Sequence, residues 1–138
     1  MIVFFGFTQC PDVCPTTLLR YQRYQKVMRL LEPRADRLQV LFVTIDPERD
    51  AAPVLKAYLG QFDPRFMALR GSAEELLTVA RTFRVTKETI DGLTPTNYTM
   101  NHSTFAYCFD TQGQPQLFFA HKLPAEEIAG DLRHLIPC

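Results

Sequence analysis

Continuous apolar stretches alternate along this chain with stretches in which apolar residues recur every three or four positions. The continuous runs, Ile2–Phe7 and Leu38–Ile45, are rich in β-branched and aromatic residues and predict two buried strands. The periodic segments that follow them, from Pro15 to Leu31 and from about Ala51 to Leu59, predict amphipathic helices. Asp50 is predicted to cap the second helix, because an aspartate before a helix accepts hydrogen bonds from its first backbone N–H groups.

The second half of the chain begins with the same alternation and then loses it. A short strand is predicted over Phe66–Leu69, and Ser72 with Glu75 forms a capping-box pattern that opens a third helix. Residues 85–103 show no clear period and predict a long loop, which in a compact domain is usually functional or flexible. The remaining predictions are a strand at Thr104–Phe109, a hairpin turn over Asp110–Gly113, a partner strand at Gln116–Ala120 and a helix from Pro124.

The predicted order of elements is therefore β-α-β-α-β-α-loop-β-β-α. Strands that alternate with helices are joined by right-handed crossovers and form a mainly parallel sheet covered on both faces. With a cysteine pair at the first strand-to-helix turn, this is the order of a thioredoxin-like domain. We predict a single domain over residues 1–138, an α/β three-layer sandwich with helices on both faces of the sheet and a C-terminal antiparallel hairpin.

Composition and charge narrow the functions that are open to the chain. Its 138 residues include 15 basic and 15 acidic ones, so net charge attracts neither nucleic acid nor an anionic membrane. No apolar run approaches the roughly 20 residues of a membrane-spanning helix, and Met1 leads directly into a strand without the features of a signal peptide. Because a natural domain rarely starts inside a buried strand, we expect a natural protein that is longer at the N-terminus, with an anchor, a signal or early strands before Met1.

Two of the four cysteines stand at the turn between the first strand and the first helix. Cys10 and Cys14 form a Cys-x-x-x-Cys pattern, one residue longer than the Cys-x-x-Cys of redox proteins. A helix N-terminus favours thiolate, the form that attacks disulfides and binds soft metals. The pair therefore predicts either thiol exchange or a metal site. Cys108 is expected to be a buried small hydrophobe, and Cys138 a mobile terminal residue.

His102 offers a third ligand for a metal. In a thioredoxin-like sheet the loop before the strand at Thr104 lies beside the cysteine turn, so the topology predicts that His102 reaches both thiols. Two thiolates and one imidazole suit copper, as Cu(I) or Cu(II), whereas a structural zinc site requires four protein ligands. Three ligands with an open position also suit a site that releases its metal.

Four other residues have side chains that could bind or orient a metal. Met100 is either an additional soft ligand or, as we expect, a loop methionine that packs on the core. Asp12 either orients the site or is a polar turn residue. His121 and His134 have no ligand partners in the sequence, and we expect both at the surface.

Three segments of the chain together resemble the Sco/SenC family of copper-binding proteins. Gly6–Leu18 resembles the family's cysteine signature, Val43–Asp50 its second motif, and Asn97–Thr104 its histidine motif. The three motifs occur in the family's order, and the resemblance spans nearly the whole chain.

The resemblance implies that Cys10, Cys14 and His102 bind one copper ion within a thioredoxin-like fold. It also implies a role in building the binuclear copper centre of cytochrome c oxidase subunit II. Some members of the family act as copper donors, and others are regarded as thiol-disulfide reductases that prepare the cysteines of the target. Members are typically anchored to a membrane and face the bacterial periplasm or, as the less expected alternative here, the mitochondrial intermembrane space.

The chain departs from the family's motifs at three positions. Gln9 stands where histidine is common before the first cysteine, and Asn97 and Asn101 stand where the histidine motif usually has aspartates. An amide beside His102 lacks the negative charge that would support the imidazole. We therefore expect Asn101, in contact with the metal site, to give weaker support for Cu(II) and a less fixed imidazole ring.

Three functions remain open at this point. The first is a copper metallochaperone that passes the ion from Cys10, Cys14 and His102 to thiols on subunit II. The alternative is an enzyme, a thiol-disulfide reductase in which Cys10 attacks a target disulfide and Cys14 resolves the mixed disulfide. Other copper chaperones and thioredoxin-like reductases are further candidate partners. The third is an inert thioredoxin-like interaction module.

Overall fold

The computed structural model describes residues 1–31, 38–94, 97–103, 105–120 and 123–133. Its elements are, in chain order, β1 (Ile2–Gly6), α1 (Val13–Leu31), β2 (Val40–Thr44), α2 (Ala52–Gly60), β3 (Met67–Leu69), α3 (Ala73–Thr82), β4 (Lys87–Thr94), β5 (Asn97–His102), β6 (Phe105–Phe109), β7 (Pro115–Ala120) and α4 (Ala125–Arg133). The predicted alternation of strands and helices is confirmed as far as α3. The two continuous apolar runs of the sequence form β1 and β2.

Five strands form the central sheet, in the order β3-β2-β1-β6-β7. β1 and β2 pair in parallel, as do β2 and β3, whereas β6 is antiparallel to both β1 and β7. Four of the five strands therefore run in the same direction, which confirms the mainly parallel sheet and the C-terminal antiparallel hairpin. β1 lies at the centre, where all five of its residues are buried, and this explains why it shows no polar alternation.

Helices cover both faces of the sheet, as predicted. On one face, α1, α2 and α4 pack against Ile2 and Phe4 of β1 and against Phe42 of β2. On the other face, Val3 and Phe5 of β1 pack with side chains of α3. Neighbouring residues of one strand serve different cores, because successive side chains point to opposite faces of a sheet. Within the described ranges, none of the helices is both long enough and apolar enough to cross a membrane.

Most of the segment predicted as a loop, residues 85–103, is a β-hairpin, so that prediction is wrong. β4 and β5 pair in an antiparallel arrangement and form a separate two-stranded sheet, with Lys87 opposite His102 and Thr89 opposite Met100. Most side chains of the hairpin are polar, which hid its strands from a search for apolar runs.

A period of two is nevertheless present in β5. Tyr98, Met100 and His102 are buried or partly buried, whereas Thr99 and Asn101 between them are exposed. The first three side chains therefore share the face of the hairpin that lies on the rest of the domain. This alternation is what directs His102 inward.

The two predicted helix caps have different outcomes. The capping box of α3 is confirmed: the Ser72 hydroxyl accepts a hydrogen bond from the backbone N–H of Glu75, and the Glu75 carboxylate accepts one from the backbone N–H of Ser72. The predicted cap at Asp50 is wrong, because Ala51 is the residue that precedes α2, and no side chain caps that helix. The carboxylate of Asp50 instead accepts hydrogen bonds from Thr8, two residues after β1, and from Thr44, the last residue of β2.

Candidate metal centre

The cysteine turn joins β1 to α1. α1 begins at Val13, two residues before the predicted start, so Cys14 lies in its first turn and Pro15 is its third residue. Proline is tolerated there because the first backbone N–H groups of a helix have no intrahelical partner. Cys10 precedes the helix, and its Sγ accepts a hydrogen bond from the backbone N–H of Cys14 at 3.5 Å. Cys14 is fully buried, whereas Cys10 is partly exposed.

The Cys14 sulfur packs against the backbone of β1 at a glycine. A Cβ atom added to Gly6 would lie 2.7 Å from Cys14 Sγ and 2.9 Å from the ring of Phe42. Contacts this short do not persist in proteins, so a side chain at position 6 would displace the sulfur or the ring. Gly6 is therefore required by the close approach of Cys14.

A buried carboxylate holds the start of the cysteine turn. The Oδ1 atom of Asp50 accepts a hydrogen bond from the Thr8 hydroxyl at 2.6 Å. The Oδ2 atom accepts from the Thr44 hydroxyl at 2.6 Å and from the backbone N–H of Thr8 at 3.1 Å. Thr8 stands two residues before Cys10, and Thr44 ends β2. Asp50 thus ties the cysteine turn to the end of the neighbouring strand.

His102 reaches the cysteine turn from the end of β5. Its Nε2 atom lies 3.6 Å from Cys14 Sγ, and its ring meets the ring of Phe7 edge to face, with centroids 5.8 Å apart. Its Nδ1 atom lies 2.8 Å from the backbone carbonyl oxygen of Ser103. A carbonyl oxygen can only accept, so in the neutral ring Nδ1 carries the proton and Nε2 keeps its lone pair. The ring therefore presents to the thiols the nitrogen that a metal would bind.

The two thiols share one proton at neutral pH. The pKa of Cys10 is lowered to about 3, mainly because the Cys14 thiol donates a hydrogen bond to the Cys10 thiolate; the backbone N–H groups of Cys14 and Asp12 act in the same direction, and partial burial opposes them. The pKa of Cys14 is raised above its ordinary range, first by that same hydrogen bond, then by burial and by the negative charge of Cys10. The reduced pair thus carries one negative charge.

Asp12 and Met100 have different surroundings. The carboxylate of Asp12 is exposed and accepts a hydrogen bond from the Thr16 hydroxyl at 3.3 Å, whereas its backbone N–H donates to the sulfur of Cys10. Met100 is buried among the side chains of the second core. It packs on that core as expected, although it lies on a strand rather than in a loop.

The departures from the family's motifs at Gln9 and Asn101 are both exposed. Asn101 lies on the face of β5 opposite to His102, and its register partner in β4 is Glu88. The group that orients the His102 ring is the Ser103 carbonyl, which is independent of the side chain at position 101.

The remaining predicted residues lie away from the site or outside the described part of the chain. Cys108 is buried in the first core, as expected. His121, His134 and Cys138 lie outside the described residues, and the side chain of Asn97 is likewise not described.

Three residues that sequence reasoning missed connect β5 to the turn after β2. The guanidinium of Arg49 lies on the ring of Tyr98, with Cζ 3.6 Å from the ring centroid, and its Nη1 donates to the Tyr98 carbonyl at 2.8 Å. Asp46 accepts a hydrogen bond from Arg49 Nε and another, at 2.7 Å, from the Tyr98 hydroxyl. The sequence signal was the polar Asp46–Asp50 run directly after a buried strand, where parallel sheets collect functional side chains.

Cys10, Cys14 and His102 together form a set of donors suited to a soft metal. Each offers one ligand atom, and the three atoms lie within 4.8 Å of one another. Within the part of the chain that the structure describes, no other group of three or more Cys, His, Asp or Glu side chains converges in this way. Two sulfurs and one imidazole nitrogen fit copper, whereas calcium and magnesium prefer oxygen ligands.

Comparison with known proteins places this site in a family. The family model described as SCO1/SenC matches residues 1–137. The chain belongs to the SCO1/SenC family. An SCO2-like protein of Rickettsia typhi is 34% identical over 134 residues, which cover 96% of this chain and 64% of that protein. The chain spans between 38% and 64% of the length of the curated SCO relatives it matches.

Solved structures of SCO1/SenC proteins have the same fold. ScoI of Bradyrhizobium japonicum, solved with copper bound, is 35% identical with a TM-score of 0.85, over 97% of this chain and 83% of that one. Yeast Sco1, also solved with copper bound, is 31% identical with a TM-score of 0.81, over 99% of this chain and 77% of that one. These likenesses confirm the predicted α/β fold class and the predicted family.

Proposed function

We propose that the chain is a copper metallochaperone in which Cys10, Cys14 and His102 hold one copper ion. The observation that carries the proposal is the convergence of their three donor atoms within 4.8 Å beside a partly exposed thiol. The copper-bound relatives support the choice of metal. Because the Sco family is described as one of cytochrome c oxidase assembly proteins, we propose cytochrome c oxidase subunit II as the recipient.

The three donors differ in what they need before they can coordinate. Cys10 is already a thiolate at neutral pH and is the sulfur that a partner's thiol reaches first. Cys14 is a protonated, buried thiol, so its coordination releases a proton. In its neutral form His102 offers the Nε2 lone pair directly, because the Ser103 carbonyl accepts the proton on Nδ1. Transfer would begin at Cys10, where a partner thiolate can replace one ligand at a time.

The bacterial periplasm is the compartment that we propose, with a membrane anchor in the full-length protein. The Rickettsia and Bradyrhizobium relatives, both bacterial, support a bacterial setting. Other copper chaperones or thioredoxin-like reductases would be further partners there.

Anaerobic titration of the reduced protein with Cu(I) tests the proposal. We expect one equivalent to bind tightly to the wild type, binding to be lost in Cys10→Ser and Cys14→Ser, and affinity to fall in His102→Ala. Cys108→Ala is the matched control, since this thiol is buried in the core away from the site, and it should bind like the wild type. Equal affinity in the wild type and in His102→Ala would contradict the three-ligand site.

A thiol-disulfide reductase is the second candidate, because a partly exposed thiolate lies beside a buried thiol. Cys10 Sγ would attack a partner disulfide, forming a mixed disulfide and releasing one partner thiolate. Cys14, after losing its proton, would attack Cys10 Sγ and release the second partner thiolate, so that the pair is oxidised and the partner reduced. Turnover of a disulfide-bonded peptide, together with a reduction potential below that of the peptide, would favour this function. Absence of turnover would leave the metallochaperone.

A further inference from the structure

The strand that carries His102 is held to the domain by side chains. Among the described strands, β5 pairs with β4 alone, and the two form a sheet separate from the central one. Tyr98, Met100 and His102 share the inward face of β5. The distance between His102 and the thiols therefore depends on how Tyr98 and Met100 pack β5 against the domain.

Arg49 makes polar contacts that hold β5 against the domain. Its guanidinium stacks on the Tyr98 ring and donates to the Tyr98 carbonyl, while its Nε pairs with Asp46 in the turn after β2. The Tyr98 hydroxyl donates to the same Asp46 carboxylate. One guanidinium thus contacts both the side chain and the backbone of β5. Asp46, which lies in the same turn as Arg49, holds that guanidinium in place.

Arg49 also lies against the ring that supports His102. Its Cζ atom is 5.8 Å from the centroid of the Phe7 ring, and the edge-to-face contact between Phe7 and His102 has a centroid separation of 5.8 Å. The Arg49 side chain is 16% exposed, so these contacts are largely shielded from water. Charge and stacking contacts are stronger in such surroundings than at an exposed site.

We propose that Arg49 is a positioning residue for the metal centre, which sets the place of His102 relative to Cys14 by clamping β5 to the turn after β2. This rests on the proposed function insofar as His102 ligates copper. Arg49 acts through His102, and its effect on copper binding should therefore require an imidazole at position 102.

A double-mutant cycle between Arg49 and His102 tests this dependence. We expect Arg49→Gln to weaken Cu(I) affinity about ten-fold to a hundred-fold, the usual range when a group that orients a ligand is lost. In the His102→Ala background, the same substitution should cause no further loss. An equal loss in both backgrounds, or no loss in the wild-type background, would overturn the proposal.

Arg70→Gln is the matched control. Arg70 donates to the Pro47 carbonyl at 2.8 Å, in the same turn that holds Arg49, and among the described residues neither of its two hydrogen bonds reaches β5. Arg70→Gln removes the same positive charge and also a contact with this turn, and it should leave Cu(I) affinity unchanged. A loss as large as that of Arg49→Gln would assign the effect to the turn in general and contradict the clamp.

A second measurement needs no copper and separates this proposal from the proposed function. In the reduced, metal-free wild type, ¹⁵N NMR of the His102 ring should show one tautomer, with the proton on Nδ1. Arg49→Gln should broaden this signal or shift it towards a mixture of tautomers.

Arg49→Lys covers the case in which the glutamine variant does not fold. Lysine keeps the charge but lacks the planar guanidinium, which can stack on a ring and donate several hydrogen bonds at the same time. The His102 ring signal should therefore change again, while the melting temperature stays near that of the wild type. Unchanged ring signals in the folded variants would overturn the clamp, whether or not the protein binds copper. Failure of the wild type to bind copper, with the ring signals changed, would overturn the proposed function alone.

Discussion

Single atoms decide what the site can bind. The proton of the His102 ring is held on Nδ1 by the Ser103 carbonyl, which leaves Nε2 free beside Cys14 Sγ. The sulfur of Cys10 is kept as a thiolate by the Cys14 thiol and by nearby N–H groups. The site can therefore bind a soft cation with the release of a single proton, that of the Cys14 thiol.

The reactivity of Cys10 should be nearly independent of pH. A lowered pKa means that the thiolate persists until the pH falls to that value, so the rate of alkylation by iodoacetamide should stay almost constant between about pH 5 and about pH 8. An ordinary thiol loses about ten-fold in rate per pH unit below its pKa. Peptide mass spectrometry measures the rate, and Cys108, which is buried and whose pKa burial raises, is the internal reference.

The same experiment on Cys14→Ala tests the cause of the lowered pKa. Removal of the first hydrogen-bond donor should raise the pKa of Cys10 and restore a rate that falls with decreasing pH. A wild-type rate that already falls ten-fold per unit from about pH 8 would contradict the shared proton.

Gly6→Ala should damage the site through sterics alone. The added methyl group would meet Cys14 Sγ at 2.7 Å, and overpacking of this kind costs about 1–3 kcal/mol. Urea unfolding of the reduced, metal-free protein measures the loss. Gly60→Ala is the matched control, because a Cβ there has no neighbour within 4 Å; an equal effect of the two substitutions would show that the close approach at Gly6 is unimportant.

Between elements, side chains rather than strand pairing hold the site together. Asp50 connects the cysteine turn to the end of β2, and Arg49 connects that same region to β5. Both residues come from the short turn between β2 and α2. This turn is therefore the common support of the thiols and the imidazole.

Asp50→Asn should destabilise the fold even though it preserves the shape of the side chain. The amide nitrogen replaces an oxygen that accepts a hydroxyl hydrogen bond, and a buried donor that loses its acceptor costs about 1–3 kcal/mol. Urea unfolding should show this loss in Asp50→Asn. Asp12→Asn, at an exposed residue with a long bond to Thr16, should change stability by less than about 0.5 kcal/mol. Equal midpoints for the two variants would argue against the role of Asp50.

Over the whole molecule, the site combines the first strand-to-helix turn with a strand that ends 88 residues later than Cys14. Topology was enough to predict this meeting, because the apolar runs define β1 and β2 and their order places the strand after His102 beside β1. Local chemistry was enough for the capping box of α3, whose two partners are three residues apart.

The remaining features depend on partners that are distant in sequence. Asp50 has the local pattern of a helix cap, and only the positions of Thr8 and Thr44 show that its carboxylate bonds elsewhere. Arg49 is 49 residues from Tyr98, and nothing in the spacing of the two residues indicates a contact. The β4–β5 hairpin was missed because its strands are polar and lie outside the central sheet.

X-ray absorption spectroscopy of the reduced protein loaded with one equivalent of Cu(I) tests the central claim most directly. The account predicts two sulfur and one nitrogen ligand in the wild type, and loss of the histidine signature in His102→Ala with both sulfurs retained. A first coordination sphere of sulfur alone in the wild type, unchanged in His102→Ala, would contradict a metal centre built from Cys10, Cys14 and His102.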